Sequence, residues 1–383
     1  MMGVLNHLST LLLLSLLPPA LSHVVENFSD VPQCKKFFMK GTTPNLPGIL
    51  VNGTVQNQTR YKPICQLFNN TYMFATLYDT TKRIPVFSAY TFTGYTTGRP
   101  RQSWMIESQL EDIKIEEMKT QHEMKELNNN TDITVDHQAV DADYKYNNMS
   151  MDRGHLFPCS YAPDDAAKRS TFTLTNIVPQ ESSFNGGRWC VAELKVREAL
   201  WNNCKKNNNK IEANVVTGAV PSNNKLNLVN IPDLLWTAFC CETSKKDNWI
   251  AGAYWGDNKE ELNEKELDTI TLAKLYEKLN DHYHGDGVVK VFPDQCPKDD
   301  IPEELLKDKD KKDKTDQNNL KRMSDVQGIL TKRRKVDILR ELPLRDGDVH
   351  DHCVYDDDCV CSSVGVKGYY LPVVFVSFFL TFK

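Results

Sequence analysis

The stretch DRGHLFPCSYAPDDAAKRSTFTLTNIVPQESSFNGGRWCVAELKVREAL, Asp152 to Leu200, sets polar residues between apolar runs. Arg153, Gly154 and His155 are consecutive, and Asn176, Asn185 and Glu193 follow. Buried or cleft polar groups are costly unless they are paired or functional. In an extended segment, positions i and i+2 share a face, so Arg153 and His155 can converge on one phosphate. An imidazole of ordinary pKa, about 6.5, is largely neutral at neutral pH and accepts a proton. Gly154 between them permits close approach of backbone or substrate. Phe184-Asn185-Gly186-Gly187 opens a helix, whose N-terminus favours anions. Asn185 there offers a neutral amide oxygen, and Mg²⁺ keeps several waters and needs few protein ligands. Glu193 lies about two turns into the same helix, where side chains lean back toward the N-terminus. It is placed to hold a water of such an ion.

These residue types together suit phosphodiester hydrolysis. The reaction needs a base to activate water, positive charge facing the phosphate and a hard cation at the departing oxygen. Between Asp152 and Lys210 the chain carries nine Lys or Arg against six Asp or Glu, although its net charge over 383 residues is -5. The overall charge argues against a general nucleic-acid coat protein, while the local excess attracts phosphate in a salt-sensitive way. Nothing in the chain resembles base readout, so DNA and RNA are not ranked.

The segments Asp152-Arg153-Gly154-His155, Thr175-Asn176-Ile177-Val178-Pro179-Gln180 and Phe184-Asn185-Gly186-Gly187-Arg188-Trp189, with Glu193 beyond them, resemble the DNA/RNA non-specific endonuclease family. Its site is a ββα-metal (His-Me) finger. The resemblance continues upstream through IPVFSAYTFTG and AVDADYKYNNMSMDRGH and covers roughly residues 30 to 295. It implies an α+β fold with a mixed, mainly antiparallel sheet and flanking helices. It also implies metal-dependent hydrolysis of DNA or RNA without sequence specificity. By position it makes His155 the general base and Asn185 the direct Mg²⁺ ligand. Asn176 orients the base or substrate, Glu193 acts through metal-bound water, and Arg153 contacts phosphate. The family carries a further Arg shortly before a Trp; Arg101 ahead of Trp104 is the nearest match, one position off the pattern. Phe157 stands where many members have a small or polar residue, which would bear on substrate access. The alternative reading is a catalytically silent glycoprotein that keeps the fold as a binding module.

Residues 1–22 read as a secretory signal: Leu11 to Leu17 form an apolar core, Pro18-Pro19 break it, and Ala20-Leu21-Ser22 supply small residues for cleavage after Ser22. Six Asn-x-Ser/Thr sequons (Asn27, Asn52, Asn57, Asn69, Asn129 and Asn148) and eleven cysteines, all beyond the signal, agree with an oxidising, extracellular destination. Adjacent Cys240 and Cys241 are expected to take separate partners.

Residues 23–296 have the texture of one endonuclease domain. Strand character appears at Tyr72–Tyr78, Ile84–Phe92, Thr171–Val178, Ala213–Val220, Leu234–Cys240 and Trp249–Tyr254. Helices are predicted from Arg188 to Cys204 and from Asn263, as N-cap, to Leu279. Their irregular interleaving favours α+β. Residues 297–366 are a charged extension with the composition of disorder. The apolar tail 367–383 leaves open a lipid anchor, a short membrane anchor or a terminal strand.

Overall fold

The computed structural model of the chain describes residues 23–302 apart from 112–117, 128–133, 146, 148, 209, 246 and 261–265. The expected signal, the apolar tail, most of the charged extension and the sequons at Asn129 and Asn148 lie outside the described residues. Among those described, no helix is long and apolar enough to cross a membrane.

The principal strands are β1 (Tyr61–Phe68), β2 (Thr71–Asp79), β3 (Ile84–Phe92), β4 (Met151–His155), β5 (Ile177–Glu181), β6 (Ala213–Leu226), β7 (Val229–Glu242) and β8 (Trp249–Asp257). Three of the helices are α1 (Asp165–Ser170), α2 (Cys190–Asn203) and α3 (Leu272–Asn280), of which α2 bears on the site. Six strands form one sheet in the order β8-β7-β6-β3-β2-β1, with every neighbouring pair antiparallel. Both faces of this sheet are covered, so its inner strands are buried nearly end to end rather than on alternate residues. Strands β4 and β5 make a separate antiparallel hairpin, pairing His155 with Ile177 and Met151 with Glu181.

Strand alternation sorts the core. Trp236, Ala238 and Cys240 of β7 face one way, toward α3 and the N-terminal turns around Phe28, Phe37 and Phe38. Phe239 and Cys241 face the other way, toward Ala192, Val196 and Leu200 of α2. Adjacent cysteines on one strand therefore take separate partners, as expected: Cys241 bonds Cys204 at the end of α2, and Cys240 bonds Cys296 on the opposite face. Cys34 joins Cys65 of β1.

Three expectations shift. The apolar run Thr171–Val178 is mostly a turn, with a short helical turn at Leu174–Asn176, and the strand begins only at Ile177. Side-chain bonds of Thr171, Thr173 and Asn176 to nearby groups compete there with strand pairing. Helix α3 starts at Leu272, capped by Thr271, whose side chain accepts from the Lys274 N–H; Asn263 lies outside the described residues. Leu267 precedes the helix, and Ile270 instead bridges Ala253 of β8. Strand β1 was not anticipated: Lys62, Pro63 and Gln66 interrupt its apolar pattern, and as the edge strand it tolerates proline.

Candidate active site

The hairpin and the helix that follows it form a β-β-α unit. After β5, Glu181 caps a short turn by accepting from the Phe184 N–H, a wide turn spans Asn185–Trp189, and α2 follows directly. Asp152 on β4 is buried and reaches across to this turn. One of its oxygens accepts from Ser182 Oγ at 2.9 Å, and the other accepts from Asn185 Nδ2 at 3.0 Å. With Nδ2 committed to Asp152, the group Asn185 has left to offer is its Oδ1. Asp152 thus sets which end of the amide is presented.

His155 ends β4, is 4 % exposed, and has no hydrogen-bond partner on either ring nitrogen among the described residues. Burial, with the charge of Arg99 in support, holds its pKa down at about 3. The imidazole is therefore neutral at any physiological pH. Its ring lies 5.5 Å from Trp104 and 5.3 Å from Phe172, centroid to centroid.

Asn176 uses both ends of its amide to hold the turn beside the base. Its Oδ1 accepts from Ser88 Oγ at 2.9 Å and from the Phe157 N–H at 3.0 Å. Its Nδ2 donates to the carbonyls of Phe157 and Thr171, both at 3.1 Å. Its own backbone carbonyl accepts from the Leu156 N–H. Asn176 thus braces the chain on both sides of the turn and makes no hydrogen bond to the His155 ring. Gly154 has a different reason from the one its place in the motif suggested. A Cβ there would lie 2.6 Å from Cβ of Gln180 across the hairpin, so the close approach is made by a side chain of this protein.

Arg153 shares the His155 face, as the two-residue spacing predicted, and both contact Trp104; the guanidinium sits 5.3 Å from that ring. It also donates to Asp141 Oδ1 at 2.7 Å and lies 5.5 Å from the Tyr144 ring. Asp141 therefore competes for its charge with any phosphate it meets.

Arg101 is exposed, and its carbonyl accepts from Arg169. The cation whose field reaches His155 is Arg99, 4.8 Å over the Phe172 ring. Phe157 is a core residue, stacked on Tyr90 at 4.1 Å and edge-on to Phe74.

Glu193 sits on α2, where burial pushes its carboxyl up to about 8, against opposing influences from Trp189 and Arg197. Arg197 was missed from sequence, yet it stands four residues after Glu193 and so on the same helix face. It is buried and stacks 4.3 Å over Tyr95.

No group of three or more His, Cys, Asp or Glu able to hold a metal occurs among the described residues. The candidate donor set is instead an oriented amide oxygen in the wide turn and a carboxyl in the first turn of α2. A hard, hydrated cation such as Mg²⁺ fits such a set, because it retains most of its waters.

A neutral unpartnered imidazole, a positioned amide oxygen and nearby arginines on a β-β-α unit are the parts of a phosphodiester-cleaving site. Residues 52–290 match the family model for DNA/RNA non-specific endonucleases, and the chain belongs to that family. It is similar to the human Endonuclease domain-containing 1 protein, 32 % identical over 226 residues, which is 57 % of this chain and 40 % of the relative. The mouse protein of the same name is 30 % identical over 268 residues, 69 % of this chain and 47 % of the relative. The chain thus spans less than half the length of these relatives. Among solved structures, a chain of an EndoG/EndoGI complex aligns with a TM-score of 0.41 at 15 % identity, covering 56 % of this chain and 84 % of that one.

Proposed function

We propose that the protein is a secreted, Mg²⁺-dependent endonuclease that hydrolyses phosphodiester bonds of DNA or RNA without sequence specificity. The observation that carries this reading is His155: buried, neutral and unpartnered at the end of β4, in a β-β-α unit whose turn presents an amide oxygen. Its ring takes the proton from water as the water oxygen attacks phosphorus and the P–O3′ bond breaks. Asn176 and Ser88 fix the chain around the ring. Arg99 and Arg153 supply positive charge toward the phosphate, and in this reading Arg153 exchanges part of its bond to Asp141 for that contact. Asn185, aimed by Asp152, would hold the cation, with Glu193 acting on its water shell; when bound, the cation supplies charge stabilisation at the departing oxygen. The lack of base-reading features supports non-specific cleavage.

A binding-only module is favoured by one observation, the engagement of Arg153 with Asp141. A plasmid-nicking assay on the secreted protein separates the two readings. Cleavage that needs a divalent cation and stops on chelation is expected. Absence of cleavage with any divalent cation would leave binding alone.

A further inference from the structure

His23 is the first described residue and is fully buried. Its ring nitrogen Nε2 pairs with Oε1 of Glu107, which is also fully buried. Two atoms of this pair, His23 Nδ1 and Glu107 Oε2, have no hydrogen-bond partner among the described residues. Around them every other polar group is engaged. The backbone N–H groups of His23 and Val24 both donate to Gln109 Oε1 at 2.9 Å. The His23 carbonyl accepts from Cys65 on the edge strand β1. Gln138 accepts from the Glu107 N–H and donates to its carbonyl, each at 2.8 Å. A buried carboxylate oxygen left bare is costly, and the seat around it is otherwise built to hydrogen-bond.

The structure assigns this seat to a free amino terminus: the bond between Ser22 and His23 is cut, and the freed amine of His23 locks into the polar pocket of Glu107 and Gln109. A peptidase of the secretory route hydrolyses that bond with one water, leaving a carboxylate on Ser22 and an ammonium on His23. An ammonium at this position brings two protons more than the peptide N–H. One remains on Gln109 in this proposal, and another would turn to the carboxyl of Glu107. The small residues Ala20 and Ser22 ahead of it are those a signal-cleaving enzyme accepts.

The proposal rests on secretion, not on hydrolysis, and its readout is thermal stability, which needs no activity. The full chain is secreted from animal cells and its first residue is read by mass spectrometry. A second version carries one alanine inserted between Ser22 and His23, its retention confirmed the same way. His23 is expected as the first residue, and the extra alanine is expected to lower Tm by several degrees. In a Glu107→Gln background the same insertion should shift Tm much less, since the charged partner of the amine is gone. A first residue other than His23 would overturn both the secretory processing and the seat. Correct cleavage with equal Tm for the two versions, or an equal shift in the Glu107→Gln background, would overturn the seat alone.

Discussion

The two faces of the six-stranded sheet are finished by different means. The face toward α3 is mainly apolar: Leu77, Phe87, Ala89, Val216, Trp236 and Ala251 meet the N-terminal aromatics and Leu272, Leu275 and Leu279. Two disulfides, Cys34–Cys65 and Cys240–Cys296, fasten that side. The face toward α2 and the hairpin carries polar groups through its middle. Thr76 bonds Ser88, which bonds Asn176; Tyr90, Thr217 and Thr237 form a second hydroxyl line; and Gln66 donates to Thr175. Among the described residues, His155 and Gln180 keep buried polar atoms without hydrogen-bond partners on that side. One face is mainly an apolar core, and the other carries the polar groups of the candidate site. The sides should then respond differently to mutation.

The largest separation is expected at His155. His155→Ala should slow plasmid nicking by roughly 10²–10⁴-fold, the usual cost of removing a general base, with folding at room temperature intact. Near-normal nicking by this variant would remove His155 from its role. The opposite signature is expected from Cys240→Ala with Cys296→Ala. Loss of a disulfide typically costs about 2–5 kcal/mol, read as a lower denaturation midpoint, while the folded fraction keeps its specific activity. A collapse in the activity of the folded fraction would mean that the two faces are not separable.

Gly154→Ala tests where the two properties meet. The new methyl would press on Gln180, and overpacking of this kind typically costs about 1–3 kcal/mol. Because β4 carries both Asp152 and His155, the hairpin shift should lower nicking as well as Tm. Unchanged values for both would show that the hairpin relaxes freely and that Gly154 is not constrained by Gln180.

What was legible in the sequence divides along the same line. The strand, turn and helix that carry His155, Asn185 and Glu193 were legible in the spacing of the chain. The separate partners of Cys240 and Cys241 follow from strand alternation alone. The partner of Arg153 was not legible, since Asp141 comes from the preceding segment and meets it only through the fold. Arg99 and Arg101 differ by which way a loop turns at Pro100, which no periodicity encodes. Strand β1 was hidden by Pro63, which only an edge position permits, and the start of α3 by Leu267 and Ile270, apolar at near-helical spacing but packed before the helix begins. Local pattern located the candidate groups. Long-range packing decided which charges surround them.

The smallest expected effect is a pH dependence of stability that the site face should show through His155. Its folded pKa of about 3 lies below the ordinary value of 6.5 because burial, aided by Arg99, disfavours the charged ring. Between those two values the unfolded chain takes up a proton that the folded chain refuses. Its contribution to stability is therefore complete above about pH 6.5, falls as the pH drops toward 3, and is flat below that. The slope is about 1.4 kcal/mol per pH unit at most for one proton, so between pH 7.5 and 5.5 the loss is about 1 kcal/mol. Carboxylates titrate over part of the same range, which makes the difference between two proteins the useful quantity. Thermal unfolding of the parent chain and of His155→Ala, each at pH 7.5 and 5.5, supplies it. The parent should lose more Tm on acidification than the variant, by a few degrees. Equal losses would mean that the ring is already open to protons in the folded state, and that the polar face is less sealed than its burial implies.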